Sequence, residues 1–266
     1  MCTFYWSQCG KINVYAKRRG TQEWTDKMAD LFCVKLGETM RGTFAEHVKQ
    51  YAYGEALLVL PNRFLLQSEQ QKGTVRAVNM DYLPNEILRA NRRDRFEMLS
   101  RRSQEIIVKK LIDDKKKAGQ LKYLLNIADA DSFAKIVTGF IGELSRAGTT
   151  AEEFAEAVSA WERKNGYGLK DEEIASIYTD YRKVLKKNNW YDIDGLYRLA
   201  TIELQKAGSI IPWQALFFSD FYQFDHLQLD LIAAIKDRCT VSIGIVGDMK
   251  NDELYGATLN TIGDLL

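Results

Sequence analysis

The chain has 266 residues, 46% apolar and 27% charged, with a formal net charge of +1. That length can bury one large core or two modest ones, and the charge balance points to no particular partner, though local patches outweigh the sum. No apolar run reaches the roughly 18–20 residues of a membrane span, and Met1–Cys9 is too short and aromatic for a signal peptide, so a cytoplasmic protein that engages no membrane is expected.

Residues 1–30 carry no motif and stay unassigned; 11–17 alternate weakly, as a strand would, and 24–31 could form a helix. The apolar run Leu31–Leu36 stops at Gly37 and predicts a strand, with a helix from about Thr43 to Tyr51. Ala56–Leu60 is a continuous apolar run ended by Pro61 and Asn62, the pattern of a buried parallel strand. A helix over Phe64–Gln71 and a short strand over Thr74–Val78 follow. Strand, helix, strand, helix, strand is the rhythm of a doubly wound α/β sheet.

From about Leu83 to Ala207 the texture is helical. Phe133, Ile136, Val137, Phe140, Ile141 and Leu144 form one stripe on a 3.6-residue period. Thr150 and Glu153 form a capping box. Ile174, Ile177, Tyr178, Tyr181 and Leu185 form another stripe, with Asp171 the expected N-cap. Asp194–Gln205 is a further helix, with Trp190 and Tyr191 expected to staple its start. After Gly208 strands return at Ala215–Phe218 and Thr240–Val246, around a helix over Leu227–Ile235. The expected division is therefore 31–85 and 208–266 as two parts of one α/β domain, interrupted by a helical domain over 86–207. Thr258–Leu266 reads as a helix still in progress, so a longer gene product is expected.

The four cysteines, Cys2, Cys9, Cys33 and Cys239, show no CxxC spacing, and His47 and His226 lie far apart. Neither a zinc site nor a disulfide framework is expected. Residues 89–122 hold twelve Lys or Arg against five acids, whereas 150–180 hold eight acids against three bases. The basic run, with Arg92, Arg93, Arg101 and Arg102, is either a solvated face or a surface for a phosphate backbone.

Four segments at strand ends could carry chemistry. A phosphate loop needs two glycines around four residues, then Lys and Ser/Thr at a helix start, so that backbone N–H groups and an ammonium meet the phosphates. Gly37 and Gly42 have that spacing, but Thr43 stands at the lysine position and Phe44 at the hydroxyl position, and Glu38 adds negative charge. Thr43 cannot neutralise a phosphate, and Phe44 cannot ligate Mg²⁺. Asp220 ends an apolar strand as a Mg²⁺-holding aspartate would, but Phe221 stands where a water-activating glutamate belongs; Gln223 follows. Gly247, Asp248 and Tyr255 lie beyond the last strand. Pro61, Asn62, Arg63 and Gln67 form a polar loop and helix start at a strand's C-terminal end, where open α/β sheets bind ligands.

In their order, these segments resemble motifs of UvrD-like superfamily 1 helicases. Leu57–Gln67 is similar to the segment that contacts single-stranded DNA, Asp220–Gln228 to the Asp-Glu-x-Gln motif, and Val246–Ala257 to the third motif, with Asn251 in place of a glutamine. A closer resemblance is to the B subunit of AddAB-type helicase–nucleases. It rests on Leu60–Arg63, Phe140–Gly148, Ile177–Tyr181, Tyr191–Leu196 and Asp220–Phe224, and covers roughly 31–266. The resemblance implies a RecA-like, P-loop NTPase-type parallel sheet interrupted by an all-helical insertion, and a role at DNA ends in recombinational repair beside an AddA-type helicase subunit. It implies a nuclease and a cysteine-held iron–sulfur cluster only in a C-terminal part, and none of those residues transfers here. Three readings follow: a degenerate motor region that binds DNA and a partner without ATP or Mg²⁺, an active ATP-dependent helicase fragment, or a helical interaction module.

Overall fold

The computed structural model describes residues 5–6, 11–13, 30–34, 37, 39–73, 75–93, 95–166, 168–247, 253, 256, 258, 260 and 261. Two compact units emerge, one from 1–94 with 199–266 and one from 95–198.

The first unit is built, among the described residues, on a mixed seven-stranded sheet: β1 (Tyr5–Trp6), β2 (Lys11–Asn13), β3 (Asp30–Val34), β4 (Ala56–Leu60), β5 (Ala77–Asn79), β8 (Ala215–Phe221) and β9 (Thr240–Val246). Their spatial order is β1-β2-β3-β9-β8-β4-β5. β3, β9, β8, β4 and β5 run parallel, and β1 and β2 add an antiparallel margin. Helices α1 (Arg41–Val48), α2 (Arg63–Lys72), α3 (Leu83–Ala90) and α9 (His226–Lys236) belong to this unit. Every residue of β4 is buried, as expected for a parallel strand covered on both faces. Ala56, Leu58 and Leu60 share one face with Ala215 and Phe217, and Phe44 and Val48 of α1 pack onto it. Asn62 caps α2 by accepting the N–H of Leu65, and Gly73 ends it in the left-handed region at φ 63°, where a Cβ would be strained.

The second unit is helical. It comprises α4 (Arg101–Lys117), α5 (Asp131–Arg146), α6 (Ala151–Asn165) and α7 (Leu169–Asn188), the start of α8 (Ile193–Gln205), and a two-strand parallel clip of β6 (Glu97–Met98) and β7 (Trp190–Tyr191). Its core joins Val108, Ile112, Phe133, Val137, Ile141, Ile177, Tyr178, Tyr181 and Leu185. The stripe on α5 is thus the buried one, except that Ile136 is 64% exposed. Thr150 and Glu153 form both halves of the capping box.

Two local expectations change. Helix α7 begins at Leu169 behind Gly168, so Asp171 sits in its first turn and is not its N-cap. Trp190 and Tyr191 form a strand against β6 in place of a staple. The expected helix over 24–31 falls outside the described residues up to 29, and Asp30 and Leu31 belong to β3. Among the described residues no helix is long and apolar enough to cross a membrane.

Candidate functional site

Because β3, β9, β8 and β4 are parallel neighbours, the segments that follow them emerge at one edge of the sheet. Parallel topology therefore gathers Gly37–Phe44, Pro61–Gln67, Asp220–Gln223 and Gly247, which are far apart in sequence. In open α/β sheets that edge is where ligands bind.

Helix α1 starts at Arg41, so Gly42 and Thr43 lie in its first turn. Gly37 takes φ 88°; Glu38 lies outside the described residues. Thr43 is exposed, whereas Phe44 is wholly buried. The Phe44 ring meets Phe32 and Phe217, each at a centroid distance of 5.5 Å. The residue at the hydroxyl position is therefore a core anchor that fixes α1 to the sheet. Gly244 in β9 makes this docking possible. A Cβ there would lie 3.0 Å from Met40 Cβ and 3.2 Å from Phe44 Cε2, a close approach that explains a glycine inside a central strand.

β8 does not stop at Ser219. It continues through Asp220 to Phe221, with an irregular register against β9 between Phe218 and Phe221. Asp220 sits at φ 65°, a region uncommon for a residue with a side chain. The bulge turns Phe221 inward: it is 3% exposed and stacks on Phe224 at 4.5 Å. Phe221 and Phe224 are core aromatics, whereas Tyr222 between them is 54% exposed. Gln223 is exposed as well.

The Asp220 carboxylate is engaged by the chain itself. Thr39 Oγ1 donates a short hydrogen bond to Asp220 Oδ1 and accepts the backbone N–H of Arg41 at 3.0 Å. Arg41 Nε lies 3.7 Å from Asp220 Oδ2 and 3.2 Å from Glu69 Oε1. Glu69, on α2, is only 1% exposed and also pairs with Lys72 at 2.6 Å. One guanidinium thus bridges two carboxylates between the loop, β8 and α2, and screens two negative charges in place of a bound cation. Thr39, Arg41 and Glu69 were not singled out in the sequence. The sole hint was a carboxylate two positions beyond Gln67 on a helix facing an apolar sheet.

The other candidates divide. Pro61 is half-buried, Asn62 is a helix cap, and Arg63 and Gln67 are exposed. Gly247 donates its N–H to Val34 O at 2.8 Å, and a Cβ on it would meet Thr258 Cγ2 at 2.9 Å. Asp248, Asn251 and Tyr255 lie outside the described residues. Arg92 and Arg93 belong to the first unit, Arg101 and Arg102 to the second. Arg92 is exposed at φ 57°, and Arg93 pairs with Glu203 at 3.4 Å. Arg101 and Arg102 both reach Glu105, at 3.8 and 3.3 Å. Lys115, in the same basic run, is turned inward to Asp180 at 2.6 Å and Ser176 at 2.7 Å.

The fold and site define a mixed α/β protein with a largely parallel sheet, its strand-end segments gathered at one edge, together with a helical unit. The family model for the N-terminal domain of AddB matches residues 44–264, and the chain belongs to that family. Membership associates it with the AddAB helicase–nuclease subunits of DNA repair. No curated protein matches the chain.

Proposed function

We propose that this chain is a catalytically silent, motor-like region that binds single-stranded DNA at processed ends and docks an AddA-type helicase subunit. The observation that carries the silent part is the Thr39–Asp220–Arg41–Glu69 network. Its carboxylates already hold a cation, and Phe44 and Phe221 are buried where a metal-binding hydroxyl and a base would stand. The strand order supports a RecA-like reading: β9 separates the strand leading into the loop from the strand bearing Asp220, and all three end at the loop edge. Helix α1 still offers N–H groups at its start, but Thr43 supplies no charge to neutralise a triphosphate. Exposed Arg63 and Gln67 at the same edge support a DNA-facing role.

The test is titration of a fluorescent ATP analogue with Mg²⁺, beside titration of a labelled oligothymidylate. The expected result is oligonucleotide binding that weakens with salt and no nucleotide binding at micromolar concentration. Micromolar nucleotide binding would sink the silent reading, and hydrolysis stimulated by single-stranded DNA would establish the active-helicase alternative.

A further inference from the structure

The helical unit contains a cleft of about 310 Å³, apart from the strand-end segments of the first unit. Three elements line it: the start of α6 (Thr150, Glu152), the last turns of α7 (Tyr178, Arg182, Lys186), and the β7–α8 junction (Trp190, Tyr191, Asp192, Arg198). That volume lies at the small end of ligand pockets, roughly 300 Å³ and upward, which suits one nucleotide unit of a chain.

The lining combines cations with aromatic rings. Lys186 and Arg198 have no carboxylate within ion-pair distance among the described residues, and Arg198 Nη2 donates to Ser145 O at 3.1 Å. Arg182 does have one: its Nη1 reaches both oxygens of Asp192 at 3.4 Å. Asp192 is itself 4% exposed and also accepts Tyr181 Oη at 3.1 Å and the N–H of Gly195 at 2.8 Å. Its charge is therefore committed inside the fold, where it orients Arg182. Gly195 is required for that geometry, since a Cβ there would fall 2.8 Å from Asp192 Oδ1. Of the acids that line the cleft, only Glu152 is exposed, on the rim. The rings are held in place before any ligand arrives. Trp190 Nε1 donates to Glu97 at 2.9 Å, and Tyr191 packs edge-on against Phe96 at 5.7 Å. Cations beside held aromatic rings suit a phosphodiester with an unstacked base, because phosphate binds the charge and any base has a face to stack.

We propose that this cleft binds one nucleotide of single-stranded DNA, with the phosphate at Lys186 and Arg198 and the base against Trp190 and Tyr191. This rests on the DNA-binding reading above but assigns it to a place. The test uses the whole chain, a labelled oligothymidylate and the double variant Lys186→Gln/Arg198→Gln. The expected result is at least a tenfold loss of affinity. The slope of log affinity against log salt should also fall by about 0.7, the loss of one phosphate contact on a single strand. A bromodeoxyuridine-substituted oligonucleotide photocrosslinked to the unaltered chain should attach at Trp190 or Tyr191, a readout that does not depend on the variant folding. If the unaltered chain binds the oligonucleotide but crosslinks elsewhere, or the folded variant binds equally well, the cleft assignment fails and the wider reading survives. If the unaltered chain binds no oligonucleotide at low salt, both fall. Competition by inorganic phosphate alone as strong as by the oligonucleotide would mean an anion pocket and would overturn the nucleotide assignment.

Discussion

The two units use charge in opposite ways. At the sheet edge of the first, Arg41 is held between Asp220 and Glu69, with Thr39 closing the ring. In the cleft of the second, Asp192 is the committed partner, while Lys186 and Arg198 line the cleft with no carboxylate within ion-pair distance among the described residues. A closed ring of opposite charges stabilises a fold and offers a ligand nothing. Neighbouring cations outside ion-pair distance of a carboxylate cost self-repulsion and are tolerated where something arrives to neutralise them. The segments that look most like motor motifs therefore lie where the chain pairs its own charges.

The largest expected effect comes from forcing the first unit back toward a phosphate loop. Thr43→Lys with Phe44→Ser restores the lysine and hydroxyl in sequence. However, Phe44 is fully buried between Phe32 and Phe217. Removing a buried Phe costs about 3–5 kcal/mol, so the variant should be strongly destabilised in urea and should still fail to bind ATP. A stable variant that binds nucleotide would show that the ion-pair ring is no barrier, and the contrast between the units would collapse.

Next in size is Arg41→Met, which leaves Asp220 and nearly buried Glu69 facing one another without their shared cation. Breaking a buried pair by removing one partner costs about 3–5 kcal/mol. Lys72 still reaches Glu69, and the Arg41 side chain is 21% exposed, so about 2–3 kcal/mol is expected for this partly solvated case. Adding Glu69→Gln should recover part of the loss. Two variants whose effects simply add would show that Arg41 and Glu69 do not interact.

The sequence made local features legible and left long-range pairing hidden. β4 and β9 could be read residue for residue, because β4 is one unbroken apolar run ended by breakers and β9 sets Val241, Ile243 and Ile245 at every second position before Gly247. The capping box of α6 was readable because both partners lie within one turn. The bulge at Asp220 was not, since Ser219 and Asp220 look like the end of an apolar strand, while pairing with β9 carries the strand on to Phe221. Asp171 looked like a cap because a preceding glycine has no side chain to announce itself. The Arg41 ring depends on Thr39 and Asp220, 181 positions apart. The cleft draws its cations from two helices, where each alone reads as a solvated charge. The pairing within the run of 89–122 was hidden as well: the fold pairs Lys109 with Asp113, Lys116 with Asp129 and buries Lys115.

The smallest effect sharpens the second half of the contrast, the claim that Asp192 is committed to the fold and unavailable to a ligand. Tyr181→Phe removes one hydrogen bond to Asp192 and little volume, so it should cost about 1 kcal/mol near neutral pH. Burial, followed by the Asp192 carboxylate, pushes the Tyr181 hydroxyl above its ordinary value of 10.0. A group with a raised native pKa contributes stability that is fully present below its unfolded value and lost as pH rises beyond it. The advantage of the unaltered chain over Tyr181→Phe should therefore hold steady up to about pH 10, the ordinary tyrosine range, and shrink above it. There the unfolded phenol can ionise, whereas the native one, buried against a carboxylate, resists. Urea titrations of both chains from pH 7 to 11 would measure this. An advantage that persisted unchanged above pH 10 would mean that Tyr181 ionises as readily in the native state. That would remove the sign of burial against Asp192 and with it the claim that Tyr181 and Asp192 are locked together inside the fold.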